Sequence, residues 1–247
     1  MTSARQQFGR TAGAYAASAV HARGWDLDLL ARIVDPRADG VLVDIGTGAG
    51  HTLAALAGKR PRLIGLDPTP EMLGAASGLL RERGVAARLV QGEAGALPFA
   101  AGAASLITCR IAAHHFPDAS GAFAEMARIL APGGSLYFID NYAPDDPALD
   151  DFINSLERLR DPSHVREQTL GEWQRLLSAA GLRPAVIACW RTRIDLDDWL
   201  DRAHTPPANA AMVRRRLREA APEAAGVFAI DPRGFSLHKA FIVGTTQ

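Results

Sequence analysis

Short apolar runs alternate with segments of helical periodicity through the first half of the chain. The runs fall at residues 41–45, 63–66, 87–90, 106–109 and 136–139, each too short for a typical helix and apolar on both faces. That pattern predicts strands covered on both sides. Between them, Met72, Leu73, Ala76, Leu79 and Leu80 form a helical stripe within 70–83, with Thr69 as N-cap and Pro70 at the first helical position. Ala122, Met126, Ile129 and Leu130 form a second stripe within 118–131, and Pro132-Gly133-Gly134 stops that helix. Strand–helix alternation with short connections predicts a parallel sheet with right-handed crossovers. In the second half, Thr169-Leu170-Gly171-Glu172 has the form of a capping box opening a helix that Gly181 ends, and 182–190 and 236–243 read as further strands. Residues 145–168 and 195–233 break this rhythm and are expected to be helical insertions capping one end of the sheet. A single domain over 1–247 is expected.

A strand running into Gly46-Thr47-Gly48-Ala49-Gly50 and then into a helix from about His51 is the strongest local signal. Backbone there can approach a ligand closely, and the helix start offers free N–H groups. A dinucleotide fingerprint needs a third glycine at position 51, where histidine stands. Asp44 beside the loop would repel a pyrophosphate but tolerate a cationic sulfonium or amino group. A Walker loop would need Gly-Lys-Ser/Thr, which is absent.

Composition narrows the partners. The 247 residues carry 27 Lys plus Arg against 27 Asp plus Glu, which disfavours a general polyanion binder, so no nucleic-acid partner is expected. Cys109 and Cys189 form no metal or disulfide pattern, and no metal is expected. No apolar run is long enough for a membrane span, and 1–13 lacks the apolar core of a secretory signal, so a cytoplasmic protein is expected. The run Arg214-Arg215-Arg216-Leu217-Arg218 lacks interleaved aromatics and reads as a solvated helix face.

Asp44-x-Gly46-x-Gly48-x-Gly50 resembles the first motif of class I S-adenosylmethionine-dependent methyltransferases. Leu63-Ile64-Gly65-Leu66-Asp67 resembles their second motif, whose acid suits the two ribose hydroxyls. Gln91-Gly92-Glu93-Ala94 before Leu97-Pro98-Phe99 resembles the adenine-holding third motif, with Glu93 where aspartate is usual. The 109–116 segment and Leu130-Ala131-Pro132-Gly133-Gly134 resemble the stretches after strand 4 and before strand 5. The ordered set spans roughly 40–142. Arg160-Asp161-Pro162-Ser163-His164-Val165-Arg166 and the Phe8…Tyr15 segment further resemble a bacterial subgroup related to ubiquinone- and menaquinone-biosynthesis methyltransferases.

The resemblance implies a Rossmann-like, doubly wound sheet of seven strands, mostly parallel, with the last antiparallel and helices on both faces. It implies a lid over 1–35, a cofactor core over 36–142, and the two insertions as caps. S-adenosylmethionine would be the cofactor and S-adenosylhomocysteine its product. Tyr15, Asp44, Gly46, Thr47, Gly48, Gly50, Asp67, Pro68, Met72, Glu93, Ala94 and Arg110 are the expected cofactor residues. Methyl transfer is an in-line displacement, so positioning of a small organic acceptor dominates. His114 and His115 are candidates for a base or for positioning, with no sequence ground for choosing between them. Arg110 could orient an acidic substrate or pair with a structural carboxylate. His21, Arg23, Asn141, His164 and Arg166 are candidate acceptor contacts. A homodimer is compatible with this reading. Two alternatives stand open: an NAD-dependent oxidoreductase, and a cofactor-binding protein of this fold without methyltransferase activity.

Overall fold

The structure, a computed structural model, describes residues 4–17, 22, 24–37 and 39–246, with the backbone alone for 14–17. It opens with α1 (Ala4–Ala17) and α2 (Trp25–Ile33), followed by β1 (Val41–Ile45) and the short α3 (His51–Ala55). β2 (Arg62–Asp67), α4 (Pro70–Glu82), β3 (Arg88–Gln91) and β4 (Ala104–Arg110) follow. A 3-10 turn (Ala113–His115) precedes α5 (Ala119–Ile129) and β5 (Leu130–Asn141). The second half comprises α6 (Pro147–Arg160), α7 (Leu170–Ala179), β6 (Arg183–Asp195), α8 (Leu196–Arg202), α9 (Pro207–Arg218), α10 (Pro222–Val227) and β7 (Gly234–Thr245).

One seven-stranded sheet has the order β3-β2-β1-β4-β5-β7-β6. The five strands from β3 to β5 are parallel, and β7 runs antiparallel between β5 and β6. This is the mostly parallel, doubly wound sheet expected, with its last strand antiparallel. Strand order reverses between β1 and β4, which opens a crevice at their carboxyl ends, the usual ligand position in such sheets. Phe123, Met126, Trp173 and Leu177 build the core on one face, while Leu30, Leu53, Leu56 and Leu80 build it on the other. A third cluster joins the 145–168 and 195–233 segments to each other, with Leu149, Ile153, Leu156, Trp199, Val213 and Phe228 at its centre.

Several local expectations meet the structure differently. β3 is an edge strand, partly exposed rather than covered on both faces. β6 continues five residues past the expected 190, because Arg191–Asp195 pairs with β7 although its residues alternate rather than form an apolar run. Thr69 occupies the N-cap of α4, but its side chain makes no capping bond; its N–H instead donates to Asp67 Oδ1 at 2.9 Å. The capping box forms in full, with Thr169 Oγ1 accepting from Glu172 N–H and Glu172 Oε2 accepting from Thr169 N–H. Gly181, after α7, has a φ of +84°.

Candidate functional site

A cleft of about 960 Å³ opens at the carboxyl edge of the sheet. One half is lined by Gly46, Thr47, Gly48, Asp67, Pro68, Met72, Glu93 and Ala94. The other is lined by Asn141, Arg160, His164, Ile194, Trp199, Arg202, Leu237 and Lys239. Arg110, His114 and His115 lie on the segment between β4 and α5 and also line it. Phe8 of α1 covers part of the cleft and meets the His115 ring edge-on at 4.9 Å. Gln7 ties α1 to the far side by donating from Nε2 to the Ala203 carbonyl at 2.7 Å.

The first half is built from backbone. Gly46 N–H and Thr47 N–H both donate to the Leu66 carbonyl, pinning the loop to the end of β2. Gly46 has a φ of +68°, and a Cβ there would stand 2.6 Å from that of Ala112. At Gly48 a Cβ would meet no protein atom within 4 Å, so the backbone lies open to a ligand. Asp67 holds the loop by accepting Gly48 N–H on Oδ2 at 2.9 Å, with Thr69 N–H on Oδ1. A carboxylate offers roughly four acceptor positions, so Asp67 retains capacity for two ligand hydroxyls. Burial, partly offset by those two N–H donors, holds its carboxyl above the usual range. Asp44 lies beneath the cleft rather than on its wall. Its oxygens accept Thr47 Oγ1–H and Thr108 Oγ1–H at 2.7 Å each. Burial outweighs those bonds and pushes Asp44 up to about 6. Gly50 also stands outside the lining, as the N-cap of α3 against Ala76. This half fits the nucleoside and sulfonium of S-adenosylmethionine: a carboxylate with free acceptor positions at the end of β2 and an open glycine backbone.

The second half is built from buried charge. Arg110 Nε lies 2.6 Å from Asp26 Oδ2, so of its two expected roles the structure shows pairing with a protein carboxylate. His114 Nδ1 donates to Asp140 Oδ1 at 2.6 Å, and Asp140 also accepts the backbone N–H groups of Ala113 and Asn141. Burial disfavours the imidazolium, but the charge and hydrogen bond of Asp140 override it and push His114 up to about 9. For His115, burial and the neighbouring His114 charge act together and push it down to about 4. His115 Nδ1 faces the Ser163 carbonyl at 3.2 Å, so Nδ1 carries the proton and Nε2 keeps the lone pair.

The hydrogen bonds also settle the His164 tautomer. Asn154 Oδ1 accepts the Glu167 N–H at 2.8 Å while its Nδ2 donates to Asp150 Oδ1 at 2.6 Å, which fixes the amide. His164 Nε2, 2.9 Å from the same Oδ1, must therefore donate. Its Nδ1 is buried with no hydrogen-bond partner among the described residues, and burial drives this imidazole far below its usual range. Asn141 Nδ2 donates to Glu167 Oε1 at 2.8 Å; burial, reinforced by Glu157, pushes Glu167 up to about 8.

Arg166 does not line the cleft; it pairs with Asp150 and Glu172 at 2.8 and 3.2 Å. The Tyr15 side chain, His21 and Arg23 lie outside the described residues. Asp26, Glu157 and Lys239 are site residues that the sequence motifs did not reveal. The signal for Lys239 was a lone charge inside the apolar 236–243 pattern. Among the described residues, no group of three or more His, Cys, Asp or Glu is arranged to hold a metal ion, and no helix is long and apolar enough to cross a membrane.

Comparison with known proteins places this geometry in a family. A family model described as a methyltransferase domain matches residues 43–138. The chain is 43% identical over 224 residues to the uncharacterized methyltransferase YcgJ of Bacillus subtilis (strain 168), covering 90% of this chain and 88% of that protein. The crystal structure of YcgJ superposes with a TM-score of 0.87 at 41% identity, covering 90% of this chain and 98% of that one. A putative methyltransferase from Bacillus halodurans C-125 has a TM-score of 0.84 at 29% identity, with 90% and 99% covered.

Proposed function

Because the chain belongs to the class I S-adenosylmethionine-dependent methyltransferases, we propose that the glycine-loop half of its cleft holds S-adenosylmethionine and the charged half holds a small organic acceptor. The observation that carries this division is the Asp67 carboxylate. It is fixed by Gly48 and Thr69 N–H groups, lines the cleft and keeps acceptor positions free for a ribose. The cofactor supplies a sulfonium methyl carbon open to in-line attack. Gly46, Thr47 and Gly48 would lie along the cofactor, with Pro68, Met72, Glu93 and Ala94 around its adenosine. An oxidoreductase reading is disfavoured by His51 and by the buried Asp44 beneath the loop.

The two adjacent histidines have different work. His114, held as an imidazolium by Asp140, donates from Nε2 toward the acceptor. His115, neutral at pH 7 with its proton on Nδ1, offers Nε2 as the hydrogen-bond acceptor for the nucleophile's O–H or N–H. Its low affinity for protons makes it a weak base, which suits an acceptor that ionises readily. Asn141 and His164 stand nearby as acceptor contacts, and α1 with Phe8 excludes water. The site of action is the cytoplasm. Transfer of labelled methyl from S-adenosylmethionine into small molecules of a cell extract tests the reading. A labelled product that disappears with Asp67→Ala supports it. Cofactor binding with no labelled small molecule would identify a cofactor-binding protein of other chemistry.

A further inference from the structure

Lys239 sits on β7 opposite Asn141, is 3% exposed, and still lines the cleft. Its ammonium makes no hydrogen bond or ion pair with any described residue. An isolated buried charge is costly unless something compensates it. The surrounding charges do not. Asp26 attracts Lys239 most, but its carboxylate is bound by Arg110 Nε at 2.6 Å. Asp140 is matched by His114 at 2.6 Å. Glu167, pushed up to about 8, is mainly neutral at pH 7. Arg110 and Lys239 therefore both act on the Asp26 carboxylate, and Lys239 has no ion-pair partner of its own among the described residues. Burial, opposed by Asp26 and reinforced by Arg110, depresses Lys239 to about 8, which is what an ammonium lacking its counter-ion does.

The surroundings say what kind of anion fits. Alternation along β7 puts Leu237 on the same face as Lys239. Ile194 and Trp199 join Leu237 in the cleft wall. We propose that Lys239 anchors the carboxylate of the methyl acceptor, an organic acid whose apolar body lies along Ile194, Trp199 and Leu237. The inference rests on the reading of this half as the acceptor site and adds the class of acceptor. The carboxylate supplies the missing counter-charge, and the charge-assisted bond it forms is stronger than a neutral one. Lysine serves here as a compact point charge at the end of a flexible stem.

The same chemistry could come from the methionine carboxylate of the cofactor, and the test separates the two. The chain has only two lysines, Lys59 and Lys239, so isotope-labelled lysine gives two NMR signals, assigned with Lys59→Arg and Lys239→Met. Benzoate and its neutral counterpart benzamide serve as probes, added to protein saturated with S-adenosylhomocysteine. In the free protein the Lys239 signal is expected to titrate near 8. Benzoate should raise that midpoint toward the ordinary lysine range and benzamide should not. Lys239→Met should weaken benzoate binding by about tenfold or more while leaving S-adenosylhomocysteine affinity unchanged. A Lys239 midpoint that benzoate does not move overturns the proposal. So does a full upward shift on S-adenosylhomocysteine alone, which assigns the anion to the cofactor. Failure of S-adenosylhomocysteine to bind the wild-type protein would instead bring down the underlying division of the cleft, whatever Lys239 does.

Discussion

Between Ile45 and Gly50 the cleft is made of backbone, whereas across the ends of β4, β5 and β7 it is made of buried charge. In the first region the loop Gly46-Thr47-Gly48 is pinned to the end of β2 by the Leu66 carbonyl and the Asp67 carboxylate, with Pro68, Met72, Glu93 and Ala94 completing the lining. In the second, Asp26 and Arg110 are 84 residues apart, and His114 and Asp140 are 26 apart. A backbone site depends on chain conformation more than on side-chain identity. A charged site depends on every partner being present, because each uncompensated ion in low dielectric is costly. On the proposed reading, the first region serves general cofactor recognition and the second acceptor selection.

The sharpest way to break the contrast is at its most charged pair. Asp140→Asn leaves the His114 ring without its counter-ion and should destabilise the fold by about 3–5 kcal/mol, measured by urea unfolding at pH 7. A loss below about 1 kcal/mol would mean that the pair is solvated and that the second region is not built on buried charge.

Next in size is a pH effect. The folded His114 value, about 9, lies above its ordinary 6.5. Its contribution is therefore complete below pH 6.5 and is lost as the pH rises through 9. Glu167 and Lys239 titrate nearby, so the quantity to follow is the difference in unfolding free energy between wild type and His114→Gln. That difference should shrink by about 3 kcal/mol over the window. A flat difference would show that His114 is not held as an imidazolium.

In the backbone region, Asp67→Ala removes the acceptor for Gly48 N–H and for a ribose. It should weaken S-adenosylhomocysteine binding about hundredfold by calorimetry, with the His114 pH effect intact. Coupling between the two would blur the regions into one. The smallest effect is expected outside both. Arg166→Ala removes partly exposed ion pairs with Asp150 and Glu172 and should cost less than about 1 kcal/mol, with cofactor affinity unchanged.

What the sequence made legible follows the same division. The β1-to-α3 loop, the acid ending β2 and the capping box at Thr169 are local patterns, and each was found where its residues stand. The parallel strands were legible as apolar runs between helical stripes, whereas the seven-stranded count and the antiparallel last strand were implied by the family resemblance. The pairing of Arg110 with Asp26 was open, since α2 precedes β4 by a long stretch and nothing in either segment names the other. The distinction between His114 and His115 was hidden for the same reason, as it depends on Asp140 from β5 and on Ser163 from the segment after α6. Lys239 lies inside the 236–243 strand pattern, and only the pairing with β5 and the cleft show that it lines the site. Thr69 was an apt cap by type, but the turn at Asp67 took its N–H and turned the side chain to no capping bond.

The most direct test of the central claim is a pair of calorimetric titrations of the wild-type protein, one with S-adenosylhomocysteine and one with NADH. The account predicts saturable binding of S-adenosylhomocysteine at one site per chain and no binding of NADH. Tight binding of NADH without S-adenosylhomocysteine would contradict it.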